Sequence, residues 1–126
     1  MRWPFRKQAT PVPSPGAALP RAVRADADAQ FSAAVDRNLA GIELERAGAV
    51  DRAIALYEVN VAESFIGSHS YERLRILYTK RHDYPNALRV CRAYLALPQR
   101  DVDAQKGMRF HQHATKLAAK IGAERR

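Results

Sequence analysis

Three places in the chain hold side chains whose type and spacing bear on chemistry. Gly67-Ser68-His69-Ser70 sets two hydroxyls beside an imidazole, the pieces of a base-activated nucleophile. His111-Gln112-His113 puts two imidazoles two residues apart, a fragment of a metal site. Cys91, the only cysteine, carries a thiol that is reactive once deprotonated. Each has a plainer reading. A dyad is assembled in space rather than along a tripeptide, and serines before a helical run cap it. Zinc ligands on a helix are four residues apart, whereas a two-residue step turns the rings to different sides. Cys91 lies among apolar residues at helical spacing and reads as a packing residue. The chain has no phosphate-binding glycine loop, no glycine-flanked serine and no paired-cysteine pattern. The expectation is a non-enzymatic protein with no cofactor and no metal.

The elements that would position these residues are helical. In Asp28–Gly48, Phe31, Val35, Leu39 and Ile42 recur at three- and four-residue steps, with Asp26 and Asp28 at the expected N-terminus and Gly48 as C-cap. A second run holds Ala53, Ile54, Leu56, Tyr57 and Val61. A third, with Ser68 or Ser70 as its cap, holds Tyr71, Leu74, Ile76, Leu77 and Tyr78. Asp83 caps a fourth whose first turn accepts Pro85, with Ala87, Leu88, Val90, Cys91, Tyr94 and Leu95 following and Pro98 closing it. Asp101 or Asp103 caps a last helix with Met108, Phe110, Leu117, Ala118 and Ile121. Nothing shows sustained β alternation, so the fold class is all-α. Residues 1–25, with five of the seven prolines in the first 20, read as a disordered basic arm. There Trp3 and Phe5 lie among Arg2, Arg6 and Lys7, a candidate docking motif or simply a loose terminus. Residues 26–126 read as one helical domain.

The second and fourth runs share a texture. A shift of 34 residues lays Ala53 on Ala87, Leu44 on Tyr78, Val50 on Tyr84, Ile54 on Leu88 and Val61 on Leu95. A helix pair cannot bury its apolar face alone, and stacking a second pair supplies the missing surface.

This 34-residue helix–turn–helix period resembles the tetratricopeptide repeat family. One unit spans residues 34–67, with Gly41, Leu44, Ala53 and Tyr57 at the family's characteristic places. A second spans 68–101, with Leu74, Tyr78, Ala87, Cys91 and Tyr94. Together they cover about half of the chain, and residues 102–123 become a capping helix. Arg75 departs from the pattern, standing where the family has a small residue. It must snorkel with its stem packed, or the second pair must splay. The first unit also lacks the proline that usually ends its second helix. The alternative is a generic helical bundle.

The resemblance implies an interaction module whose first helices line a concave groove for a peptide or protein partner. By position the first unit would present Val35, Asn38, Ile42, Glu45 and Arg46, and the second His69, Glu72, Ile76, Thr79 and Lys80. Ile42 and Ile76 stand where carboxylate-gripping relatives have asparagine, so the set does not match that mode of recognition. The competing reading covers Val35, Ile42 and Ile76 with the capping helix or the arm.

Composition bounds the rest. Apolar content of 47% and charged content of 27% fit a globular protein. No uninterrupted apolar run approaches the ~18 residues a membrane-spanning helix requires. The lone cysteine and lack of a secretory signal suggest a cytoplasmic setting. The net charge of +8 is uneven: net negative over residues 31–67 and net positive elsewhere. That order suits a partner of opposite order, or a second copy in a homo-oligomer. It also raises the alternative of nucleic-acid binding through Arg73, Arg75, Lys80, Arg81, Arg89, Arg92 and the terminal Arg125 and Arg126.

Overall fold

A computed structural model describes residues 20–98 and 104–126. The described residues form five helices and no strand: α1 Arg21–Arg46, α2 Val50–Ala62, α3 His69–Lys80, α4 Tyr84–Leu95 and α5 Ala104–Glu124. The proline-rich segment up to residue 19, with Trp3 and Phe5, and the proposed caps Asp101 and Asp103 lie outside them. The chain divides after Ser32, and the packing described below is that of residues 33–126.

α1 begins earlier than the sequence pattern predicts. Arg21-Ala22-Val23-Arg24-Ala25 is rich in good helix formers, and the Arg24 amide already donates to the Pro20 carbonyl at 3.0 Å. Residues 21–25 are therefore helix rather than arm, and Asp26 and Asp28 lie inside α1 instead of at its N-terminus. The buried face also differs from the expected apolar stripe. Phe31 and Leu39 are more than half exposed and Val35 and Ile42 are half-buried, whereas Ala34 and Gly41 are buried. Small residues face inward because α2 comes close there.

Three helix ends repeat one device. At the end of α1, Gly48 (φ 81°) turns the chain left-handed; its amide donates to Glu45 O and that of Ala49 to Leu44 O. At the end of α2, Ser64 (φ 54°) does the same with Val61 O and Asn60 O. At the end of α3, His82 (φ 59°) does so with Thr79 O and Tyr78 O. These paired bonds satisfy carbonyls the helix leaves open. Gly48 and His82 are 34 residues apart, the same shift that relates Ala53 to Ala87, both fully buried. Asp83 caps α4 as the sequence predicts, its carboxylate accepting from the Asn86 amide at 3.3 Å, with Pro85 in the first turn. Ser68 stands at the N-cap of α3 but its hydroxyl bonds nothing there, and Ser70 is buried elsewhere.

Side-chain pairs fix the order of stacking. Tyr57 of α2 reaches Glu45 of α1 while Asn60 reaches Ala34, so α1 and α2 run antiparallel. Asn38 and Glu45 of α1 meet Ser70 and Arg73 of α3, which makes those two parallel. α4 returns against α3 through Tyr71 and Tyr94, whose ring centroids are 5.5 Å apart at 65°. α5 returns against α4 with Phe110 stacked on Tyr94 at 4.2 Å. Gly107, Phe110, Ala114 and Leu117 form the buried stripe of α5, at alternating steps of three and four. Met108, expected among its apolar members, is 64% exposed because it lies off that stripe.

Two substitutions test this packing in opposite directions. A Cβ on Gly41 would sit within 3.0 Å of Cε1, Cζ and Oη of Tyr57. Tyr57 is fully buried and its hydroxyl is held by Glu45, so it has nowhere to yield. Gly41→Ala should therefore lower stability by about 1–3 kcal/mol in urea denaturation, despite alanine's better helix propensity. Ser64 is exposed, with a left-handed backbone that costs a side-chain-bearing residue about 1 kcal/mol. Ser64→Gly should raise the urea midpoint accordingly.

Candidate interaction site

The two predicted sets of groove residues adjoin, but most of their polar members are engaged within the chain. Asn60 is fully buried. Its amide nitrogen lies 3.0 Å from Ala34 O, Asn38 Oδ1 and Ser70 Oγ, while its oxygen accepts from Arg37 Nε at 2.7 Å. Ser70 donates to Asn38 Oδ1 at 2.5 Å. One amide thus ties α1, α2 and α3. Arg37 also pairs with Glu63 at the end of α2.

A second knot lies one helical turn along. Glu45 accepts from Tyr57 Oη at 2.6 Å and from Arg73 Nε and Nη2 at 3.1 and 2.5 Å. Burial alone would raise the Glu45 carboxyl, but the bonds from Arg73 and Tyr57 outweigh it and hold it below the usual range. Burial and the adjoining Glu45 raise the Tyr57 phenol, which stays protonated as a donor. The His69 ring stands edge-on to Tyr57 at 5.5 Å, and burial followed by Arg73 depresses its pKa. His69 is neutral at pH 7, its Nε2 buried with no hydrogen-bond partner.

The other predicted site residues are placed as follows. Glu72 bonds Arg75 at 3.0 Å, and Thr79 Oγ1 donates to the Arg75 carbonyl at 2.6 Å. Arg46 is exposed and pairs with Glu43 at 2.8 Å, and Lys80 is exposed. Val35, Ile42 and Ile76 are half-buried. Arg75, the departure from the repeat pattern, is folded onto Glu72 with its side chain 14% exposed and its Nε buried without a partner. Ser70 and Arg73, not among the predicted contacts, are the α3 residues that meet α1. A buried Asn at position 60 had one sequence signal, a polar residue beside the apolar positions 57 and 61.

The residues with potential chemistry are likewise accounted for. Cys91 is fully buried, and burial pushes its thiol up to about 11, so it stays protonated. His111 is exposed and His113 partly buried, and no group of three possible metal ligands occurs among the described residues.

Several of the basic residues considered for nucleic acid are neutralised in place. Arg73 pairs with Glu45, Arg75 with Glu72, Arg81 with Asp51 at 2.7 Å, and Arg89 with Glu58. Three of those four carboxylates come from the acidic stretch 31–67, so the chain's charge asymmetry is largely spent on its own stacking.

Two spaces among the described residues that could take a ligand lie beside α5. A groove of about 560 Å³ between α4 and α5 has an apolar floor of Pro85, Leu88, Ala118 and Ile121, edged by Arg89, Arg92 and Arg125. A smaller crevice of about 280 Å³ lies between α3 and α5. Thr79 is the one predicted groove residue that lines either space. No protein-family model matches the chain, and comparison with curated proteins and with solved structures gives no match.

The Glu45 knot predicts an acid dependence. A carboxyl depressed in the folded state contributes stability above its unfolded value of 4.5, and that contribution is lost as pH falls through the lower folded value. Glu45→Gln should cost about 1–3 kcal/mol near neutrality, where it removes charge-assisted bonds. It should also flatten the fall of the urea midpoint between about pH 5 and pH 3 relative to the wild type.

Proposed function

We propose that this chain is a non-enzymatic protein-interaction module of tetratricopeptide-like construction, seating an acidic, amphipathic segment of a partner protein in the α4–α5 groove. The observation that carries the proposal is the groove itself: an apolar floor, three arginines around it and no carboxylate in its lining. Floor residues supply area, while the arginines select a segment with acidic flanks. Arg89 is already held by Glu58, which leaves Arg92 and Arg125 as the cations that would meet the partner.

The repeat reading is supported by recurrence at a 34-residue shift: a left-handed helix end at Gly48 and His82, and a fully buried alanine at Ala53 and Ala87. It is also supported by Gly41 lying against Tyr57, a close approach of the kind such helix pairs use. No helix among the described residues is long and apolar enough to cross a membrane. A single buried cysteine suits a reducing compartment, and we assign the module to the cytoplasm.

Ala118 is exposed, so a large side chain there fills the groove without entering the core. A pull-down from source-cell lysate should retain a discrete protein that survives nuclease. Ala118→Trp should weaken that capture at least tenfold, about 1.4 kcal/mol, with the helical circular dichroism unchanged. Arg92→Glu should weaken it further at low salt than at high salt. Capture indifferent to Ala118→Trp, or lost with nuclease, would refute the groove. Recovery of only this chain would make the groove a self-assembly surface.

A further inference from the structure

The α4–α5 groove repeats a relation that is already filled one step earlier in the stack. α4 lies against α3 and sends Arg89 to Glu58 of α2, which also accepts from the Tyr78 hydroxyl of α3. Arg92 stands 34 residues after Glu58, so the place a carboxylate holds on α2 is held by a guanidinium on α4. Among the described residues no helix follows α5 to take the place that α4 takes over α2 and α3. A helix laid in the groove would take it with the charges exchanged, bringing carboxylates to Arg92 and Arg125.

α1 carries such a surface. Asp36, Leu39, Ala40 and Glu43 follow at helical spacing and turn away from the face that Ala34 and Gly41 bury. Leu39 is 57% exposed, with a carboxylate one turn to either side of it. Asp36 is exposed and forms no ion pair among the described residues. The Glu43 carboxylate bonds Arg46, but both side chains are largely exposed, and a surface pair of this kind yields at little cost. All four residues belong to the same unit, 33–126, as the groove.

On the reading of the α4–α5 groove as a binding site, we propose that its occupant is α1 of a second copy of this chain. Leu39 seats on the floor of Leu88, Ala118 and Ile121, while Asp36 and Glu43 face the arginines at the edge. A leucine flanked by carboxylates meets both demands of the groove, area on its floor and negative charge at its rim. The face on α1 and the groove are different surfaces. The contact is therefore heterologous, and copies join head to tail instead of closing as a two-fold dimer. The net negative stretch 31–67 of one copy then lies against the positive C-terminal part of the next, matching the order of charge along the chain.

The test is sedimentation of the purified full chain at pH 7.5 and low salt, at concentrations up to about millimolar. The weight-average mass should rise with concentration and fall back as salt is added. Leu39 and Ala118 are exposed, so Leu39→Glu and Ala118→Trp should each keep the helical circular dichroism and weaken self-association at least tenfold. Mixing the two variants should restore association and stop it at a heterodimer, because the first keeps an intact groove and the second an intact α1 face. A wild type that stays monomeric throughout overturns the proposal. So does a mixture of the two variants that forms no heterodimer. Self-association lost with Leu39→Glu but indifferent to Ala118→Trp would mean that α1 faces pair with each other, which also overturns it. A monomeric wild type whose capture from lysate is still lost with Ala118→Trp removes the second copy and leaves the groove reading standing. A monomeric chain whose capture ignores Ala118→Trp removes both.

Discussion

The close approach of Tyr57 to Gly41 is the constraint on which the rest of the stack depends. With no Cβ at position 41, the Tyr57 ring lies flush on α1, and its hydroxyl then falls within 2.6 Å of Glu45. Glu45, held from one side, takes Arg73 of α3 from the other. A contact made possible by a missing methyl thus sets where α3 sits against α1. The Asn60 amide fixes the same three helices a turn away, at 3.0 Å from atoms on two of them. Buried polar groups of this kind are costly when half-satisfied, so they specify one arrangement of the helices more than they add to its stability.

That choice of polar ties has a consequence for binding. Between α1 and α3, carboxylate, amide and hydroxyl groups are paired with one another, and an incoming peptide would have to break those pairs to use them. Beyond α3 the material changes. Tyr71, Tyr94 and Phe110 join α3, α4 and α5 through rings. Acidic residues of the first half are used on Arg73, Arg81 and Arg89, which leaves the unbalanced positive charge at the C-terminal end of the stack. Electrostatics and packing therefore point to the same end of the molecule.

Much of the fold was legible in the sequence, because helical spacing and the 34-residue shift depend on local pattern. Ala53, Ala87, Tyr57 and Cys91 were readable as core, and each is fully buried. The end of α1 at Gly48 and the cap at Asp83 follow from backbone chemistry that any local reading can use. What was not legible is which face of α1 turns inward. Periodicity nominated Phe31 and Leu39, yet small residues won because the neighbour is a tyrosine that needs room. The site suffered for the same reason. Asn38, Glu45, His69 and Glu72 lie on plausible faces, and only knowledge of Asn60, Tyr57, Arg73 and Arg75 opposite them reveals that they are occupied.

Helix geometry explains why the α4–α5 groove and the α3–α5 crevice both border α5. At about 100° per residue, Phe110, Ala114, Leu117 and Ile121 fall on one narrow stripe facing α4 and the core. His113, Lys116 and Lys120 then project about 100° to one side of it, and Ala118, Gly122 and Arg125 about 70° to the other. Among the described residues α5 packs chiefly against α4, with open space on each of its flanks. One flank borders α3 at Arg75 and Thr79; the other borders α4 at the apolar surface of Pro85 and Leu88. The crevice and the groove are two sides of the same packing event, and they differ in which neighbour each flank meets.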